Sequence, residues 1–160
     1  MTAWDIAIAT IADEFSDLSG IEPAIRTVLR LLLAALLGGL LGNEREHHGK
    51  AAGIRTHMLV ALGSTLFVLA PQLTGVSHDA MSRVVQGIVA GVGFLCAGTI
   101  LKTSGDSKVR GLTTAAGLWL NTAVGVCVGL GHEATAVLGT LLALFILNVL
   151  PKIIEEPRQD

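Results

Sequence analysis

The run from Val84 to Leu101 contains no charged residue. An apolar stretch of about 18 residues or more reads as a membrane-crossing helix, because a bilayer core about 30 Å thick takes about 20 residues of helix to span. It lacks the polar stripe that a soluble surface helix presents. Four further segments share its character, at about 22–42, 54–73, 112–131 and 134–150, with Pro71 near the end of one and Pro151 closing the last. The pattern predicts an all-α, polytopic membrane protein with five transmembrane helices. Only 15% of residues are charged, against about 25% in soluble domains. The net charge of −2 gives no basic footprint for nucleic acid.

The segment 3–18 places Trp4, Ile8, Ile11, Phe15 and Leu18 at helical spacing and has an acidic opposite face. It predicts a short amphipathic helix lying at an interface, with Ser19-Gly20 as its stop. Asp5, Asp13, Glu14 and Asp17 stand where a secretory signal would carry a basic region, so none is expected. The organisation is then an interfacial helix over 1–20, a transmembrane domain over 21–151 and a tail over 152–160.

Basic residues set orientation. One set of connections holds Arg45, Lys50, Arg55, Lys102, Lys108, Arg110, Lys152 and Arg158; the opposite set holds only Arg83 between spans. This puts the N-terminus outside and both long loops and the C-terminus in the cytoplasm. Gly38-xxx-Gly42, Gly87-xxx-Gly91 and Gly125-xxx-Gly129 have the spacing that lets helices approach closely, in a compact bundle or a homodimer. Spans one–two and three–four have the same orientation and each encloses a basic loop, which leaves a duplicated hairpin open. Cys96 and Cys127 lie in apolar segments and read as small packed residues.

Arg30 interrupts the first span. If that helix leaves the membrane near Leu41, Arg30 lies about 11 residues from the exit, roughly 16 Å at about 1.5 Å per residue, close to mid-membrane. A charge there faces the protein interior or a water-filled cavity. Glu22, Arg26, Arg30, Ala34, Gly38 and Gly42 share one helix stripe, charged at one end and small at the other. Gln86 and Asn121 are the expected acceptors for Arg30, and Glu22 reaches Arg26. Three readings stand: a structural clamp, an anion or headgroup site, and a transport residue. No acidic residue falls near mid-membrane on any span, which counts against a dehydrated divalent-cation path.

The first loop carries Glu44, Arg45, Glu46, His47 and His48. It reads as a solvated loop, or as a metal site if Glu44, Glu46 and Asp106 converge with the histidines. Arg55-Thr56, and Arg110 with Thr113-Thr114, stand at helix starts, where free N–H groups and the helix dipole favour an anion. The alternative is that Thr56 and Thr113 cap their helices and the arginines anchor the interface. Asp79 and Arg83, spaced i, i+4 on the outer side, form a surface pair if their helix starts early. No nucleophile–base pair points to an enzyme, and no cofactor motif is evident.

Three stretches together resemble the bacterial MgtC/SapB family: Gly42-Asn43-Glu44-Arg45-Glu46 followed by Ala52 to Gly63, Arg83 to Gly98, and Arg110 to Trp119. The resemblance covers roughly residues 26–131. It implies an inner-membrane protein of about five spans, linked to growth at low Mg²⁺ and in some members to survival inside macrophages. It further implies a regulatory role, including restraint of the F-type ATP synthase, more than direct Mg²⁺ transport. The partners expected on that basis are the lipid bilayer, a membrane protein such as that synthase, and a second copy. Mg²⁺ is the one ion it brings into question, and a small Mg²⁺ transporter or channel is the alternative function. Many members continue into a cytosolic ACT-like domain; here only Lys152 to Asp160 follow Pro151, so roles of that domain are not carried over. Cys96 stands where a glycine is common in the family's motif.

Overall fold

The computed structural model describes residues 2–18, 20–102 and 109–154. In chain order these form α1 (Ala3–Glu14), a 3₁₀ turn (Ser16–Leu18), α2 (Ile21–His47), α3 (Ile54–Leu73), α4 (His78–Thr99), the strands β1 (Leu101–Lys102) and β2 (Val109–Arg110), α5 (Leu112–Leu130), α6 (Glu133–Asn148) and α7 (Leu150–Ile154). The chain is an all-α membrane protein. Four helices, α2 to α5, are long and apolar enough to cross a bilayer. The fifth expected span, α6, has 16 residues, about 24 Å of helix at 1.5 Å per residue.

The helices run alternately between two ends of a bundle. At one, the hairpin end, α2 begins, α3 gives way to α4 and α5 turns into α6. At the other, the loop end, lie the α2–α3 connection and the short ribbon, in which Leu101 pairs with Arg110 and Lys102 with Val109, antiparallel. That ribbon was expected as plain loop. Asp106, Lys108, Arg158 and the stop residue Ser19 lie outside the described residues.

The core forms where α2, α3, α5 and α6 meet, around Ala34, Leu37, Ala61, Val124, Val128 and Ala136. Small residues let the backbones close. A Cβ on Gly38 would stand 2.7 Å from the His57 carbonyl oxygen, and one on Gly42 2.6 Å from the Ile54 Cα. On α5, a Cβ on Gly129 would stand 2.7 Å from the Val68 Cβ, and Gly125 lies against the Ala61 carbonyl. Apolar burial drives soluble helices together but does little between helices already in lipid, so such close packing and interhelical hydrogen bonds hold the bundle. Thr65, fully buried, supplies one: its hydroxyl lies 2.9 Å from both the Ala61 and Gly125 carbonyl oxygens.

Helix α4 packs differently. Val92 is its one buried residue, and nothing lies within 4 Å of a Cβ on Gly87, Gly91, Gly93 or Gly98. The expected close packing at Gly87-xxx-Gly91 is therefore absent among the described residues. The helix also begins at His78 rather than near Val84, because Ser77 caps it, its hydroxyl accepting from the Ala80 N–H. Helix α1 stays out of the core: none of its residues is buried, and Trp4, Ile8, Ile11 and Phe15 are all exposed. Thr2 and Asp5 close a capping box at its start.

Candidate functional site

At the hairpin end, Arg30 joins four helices. Its Nε donates to Glu133 Oε1 at 3.2 Å, and its Nη1 to the Gly129 carbonyl at 3.1 Å and to Gln72 Oε1 at 3.4 Å. These acceptors sit at the start of α6, the end of α5 and the end of α3. Arg30 is thus level with the helix ends and not mid-bundle. Arg30 does not sit midway along the bundle as expected, because α2 runs on past Leu41 to His47, about 40 Å of helix. The expected acceptors fail too: Gln86 is exposed on α4, and Asn121 donates instead to the His57 carbonyl at 2.7 Å.

The α5–α6 turn is built to admit the guanidinium. Gly131 has φ +85° and donates to the Val128 carbonyl, while the His132 N–H donates to that of Cys127. This is a Schellman end, which favours glycine at the left-handed position. The same glycine leaves room for Arg30, whose Nη2 occupies the space a Cβ would need. Farther out, Arg26 donates to Glu22 at 2.8 Å in an exposed pair. Asp79 and Arg83, both exposed at the start of α4, form no ion pair.

At the loop end, Glu44 and Arg45 pair through two contacts, Arg45 Nε to Glu44 Oε2 and Arg45 Nη2 to Glu44 Oε1 at 2.8 Å. Adjacent helix residues point about 100° apart, so both side chains curl to meet. Each is only 5% exposed. His48 Nδ1 lies 3.1 Å from Glu44 Oε1 and 2.8 Å from the Glu44 carbonyl oxygen. Glu46 turns the other way and accepts from the Ile54 N–H at 2.8 Å, satisfying one free donor at the start of α3. Its carboxylate lies in the space a side chain at residue 53 would take. Among the described residues no three His, Cys, Asp or Glu side chains gather in a way that could hold a metal ion; Asp106, the further ligand considered, lies outside them.

Neither expected threonine cap forms. The caps are Gly53 and Gly111, without side-chain bonds. Thr56 and Thr113 instead line separate cavities, and Thr114 is buried. Arg55 and Arg110 are exposed at the two helix starts. The fold thus keeps both arginines at the loop end. Between α3 and α4 it leaves an apolar groove of about 720 Å³, lined by Leu59, Gly63, Phe67, Gly87, Gly91 and Leu95 among others.

Sequence reasoning missed Glu133, Gln72 and His57, and it did not foresee that Glu46 would cap α3. His57 is 1% exposed, held by Nδ1 to the Gly53 carbonyl at 3.0 Å. Its position on the small-residue face with Ala61, Ser64, Thr65 and Val68 was the available signal.

Residues 31–155 match the MgtC family. The chain belongs to that family. Protein SrpB of Synechococcus elongatus is 47% identical over 130 residues, 74% of this chain and 71% of SrpB. The Escherichia coli protein named putative magnesium transporter YhiD is 37% identical over 129 residues, 76% of this chain and 59% of YhiD. Protein MgtC of Salmonella typhimurium is 44% identical over 117 residues, 73% of this chain and 49% of MgtC. This MgtC-family chain thus spans between about half and seven-tenths of these relatives' lengths. No solved structure matches it. The family's shared region takes in the Arg30 partners, the Glu44–Arg45 pair and the groove, since it runs from α2 to α7.

Proposed function

We propose that this MgtC-family protein is a non-enzymatic regulator in the bacterial inner membrane. It acts by lateral contact with another membrane protein, the F-type ATP synthase being the first candidate. The observation that carries the reading is the open face of α4. No described residue lies within 4 Å of a Cβ on its glycines, two of which border an apolar groove of about 720 Å³, while the glycines of α2 and α5 are closed against α3. Small residues at a lipid-facing surface are what a partner helix packs on. The basic loop end faces the cytoplasm and the N-terminus lies outside, following the distribution of Lys and Arg.

The name of YhiD favours transport of Mg²⁺ as the second reading. Against it, the Glu44 carboxylate is engaged by Arg45 and His48, and a hard cation would have to displace a buried guanidinium to reach it. Photo-crosslinkers at Gly91 and Phe94 in native membranes test the contact, together with ATP hydrolysis in membrane vesicles. The expected result is a crosslink to a synthase subunit and slower hydrolysis than in vesicles lacking the protein, both abolished by Gly91→Trp. Crosslinks to a second copy alone would point to a homodimer. Mg²⁺ uptake into proteoliposomes above that of empty liposomes, and dependent on Glu44, would replace the proposal with transport.

A further inference from the structure

The groove between α3 and α4 has two unlike ends. On α3 its lining runs from Thr56 to Phe67, and on α4 from Leu95 back to Val84. Eleven residues of helix make it about 16 Å long, half of a bilayer core about 30 Å thick. It opens two residues inside the start of α3 and stops six short of that helix's end at Leu73. The groove therefore reaches the surface at the loop end and closes before the hairpin end. Its length matches one leaflet, the one on the loop side. Below the mouth its polar lining residues are Ser64 and Thr122. Each hydroxyl donates to a carbonyl of its own helix, that of Val60 at 2.7 Å and that of Leu118 at 3.0 Å, so the walls offer nothing to a polar occupant. The mouth is different. Thr56 is exposed there, and Arg55 beside it is exposed and makes no ion pair among the described residues. The carboxylates of the preceding connection are engaged, Glu44 by Arg45 and Glu46 by the Ile54 N–H. Lys50 and Arg110 are exposed at the same end. A positive rim thus stands over a neutral, apolar slot.

We propose that this groove holds an acyl chain of an anionic phospholipid from the loop-side leaflet, its phosphate set on the Arg55 guanidinium and the Thr56 hydroxyl. Charge selects the headgroup, since basic pockets between membrane helices take anionic ones. Size admits the chain. An apolar cavity of about 150 Å³ takes the six carbons of benzene, about 25 Å³ per carbon. A groove of about 720 Å³ then has room for one acyl chain and part of its twin. The site stands beside the lateral contact proposed above and does not depend on it. Gly87, Gly91, Phe94 and Gly98, spaced i, i+4, i+7 and i+11, form one ridge of α4. Ile88, Val92 and Leu95 turn from that ridge into the groove. A helix on the ridge and a chain in the groove lie side by side.

Native mass spectrometry of the purified full chain in detergent tests this, with dioleoyl phosphatidylglycerol and dioleoyl phosphatidylcholine as probes. The two share their acyl chains and differ in net headgroup charge. One phosphatidylglycerol per chain should be retained, about fivefold better than phosphatidylcholine. Arg55→Gln should lower phosphatidylglycerol retention by about fivefold and leave that of phosphatidylcholine in place. Arg83→Gln, at the hairpin end, should change neither. Gly63→Leu places a side chain in the groove, where nothing lies within 4 Å of a Cβ, so the fold is retained and both lipids should be lost; an unchanged circular dichroism spectrum checks the fold. A dimer carrying no lipid would put a second copy in the groove instead. That result overturns the proposal, as do equal retention of the two lipids by wild type, full retention by Gly63→Leu, or an Arg55→Gln variant that binds phosphatidylglycerol like wild type.

Discussion

Replacing Arg30 by methionine keeps the apolar stem and removes the group that ties α2 to three other helices. The loss can be worked from its contacts. The two hydrogen bonds to neutral acceptors, Gly129 and Gln72, are worth about 0.5–1.5 kcal/mol each, the 3.4 Å contact at the low end. The ion pair with Glu133 adds at most about 1 kcal/mol, since the Glu133 side chain is 44% exposed and solvent screens it. The sum predicts a loss of about 1–3 kcal/mol. Arg26→Met is the matched control: its pair with Glu22 is 60% and 82% exposed and should cost less than about 0.5 kcal/mol. Reversible unfolding of the purified protein in mixed micelles, followed by circular dichroism against SDS fraction, measures both. Glu133→Gln should reproduce only the ion-pair part, and the double variant should be less than additive. If Arg30→Met and Arg26→Met differ by less than about 0.5 kcal/mol, the assignment of Arg30 as the clamp of the hairpin end is wrong.

Three further outcomes test other parts of the fold. Gly38→Ala should cost about 1–3 kcal/mol in the same unfolding assay, because the added methyl forces α2 from α3; Gly91→Ala, which meets nothing, should be neutral or gain up to about 1 kcal/mol from helix propensity. Glu44→Ala strands the buried Arg45 guanidinium and should lower stability by about 3–5 kcal/mol; a smaller effect than Glu46→Ala, which removes a cap worth about 1 kcal/mol, would refute the buried pair. Asp5 is held below the usual carboxylate range by the Thr2 backbone and side-chain hydrogen bonds. A depressed native pKa means the capping box stabilises α1 fully above the unfolded value and loses that contribution as pH falls through the native one. A peptide of residues 1–18 on vesicles should therefore lose helicity below about pH 4, and Asp5→Asn should lose that pH step.

Local periodicity was readable from the chain; long-range pairing was not. The stripe Arg30–Ala34–Gly38–Gly42 follows from helix geometry alone, and its glycine half packs on α3 as that geometry implies. The bounds of α3 were legible because Gly53 and Pro71 bracket an apolar run. The end of α2 was not legible, since its apolar run fades into Glu44–Arg45 and nothing local says that the helix continues through them. Nor was the choice of acceptor for Arg30, because Glu133 lies 103 positions away and read as part of a tight turn. The rows at Gly87 and Gly125 share one spacing, yet one is open and the other closed. Spacing makes close approach sterically available; whether a neighbour takes it depends on the tertiary arrangement.

The span between Arg30 and its partners also sets a schedule for making the protein. At about 5–20 residues per second of synthesis, Gln72, 42 positions on, emerges roughly 2–8 s after Arg30. Glu133, 103 positions on, takes roughly 5–20 s. Until then the guanidinium has only an amide for company. The nascent chain must carry a half-satisfied cation through most of its translation, kept in place by the glycine contacts of α2 and α3. Arrival of the α5–α6 turn completes the set, so α6, the last of the long helices to be synthesised, fastens α2.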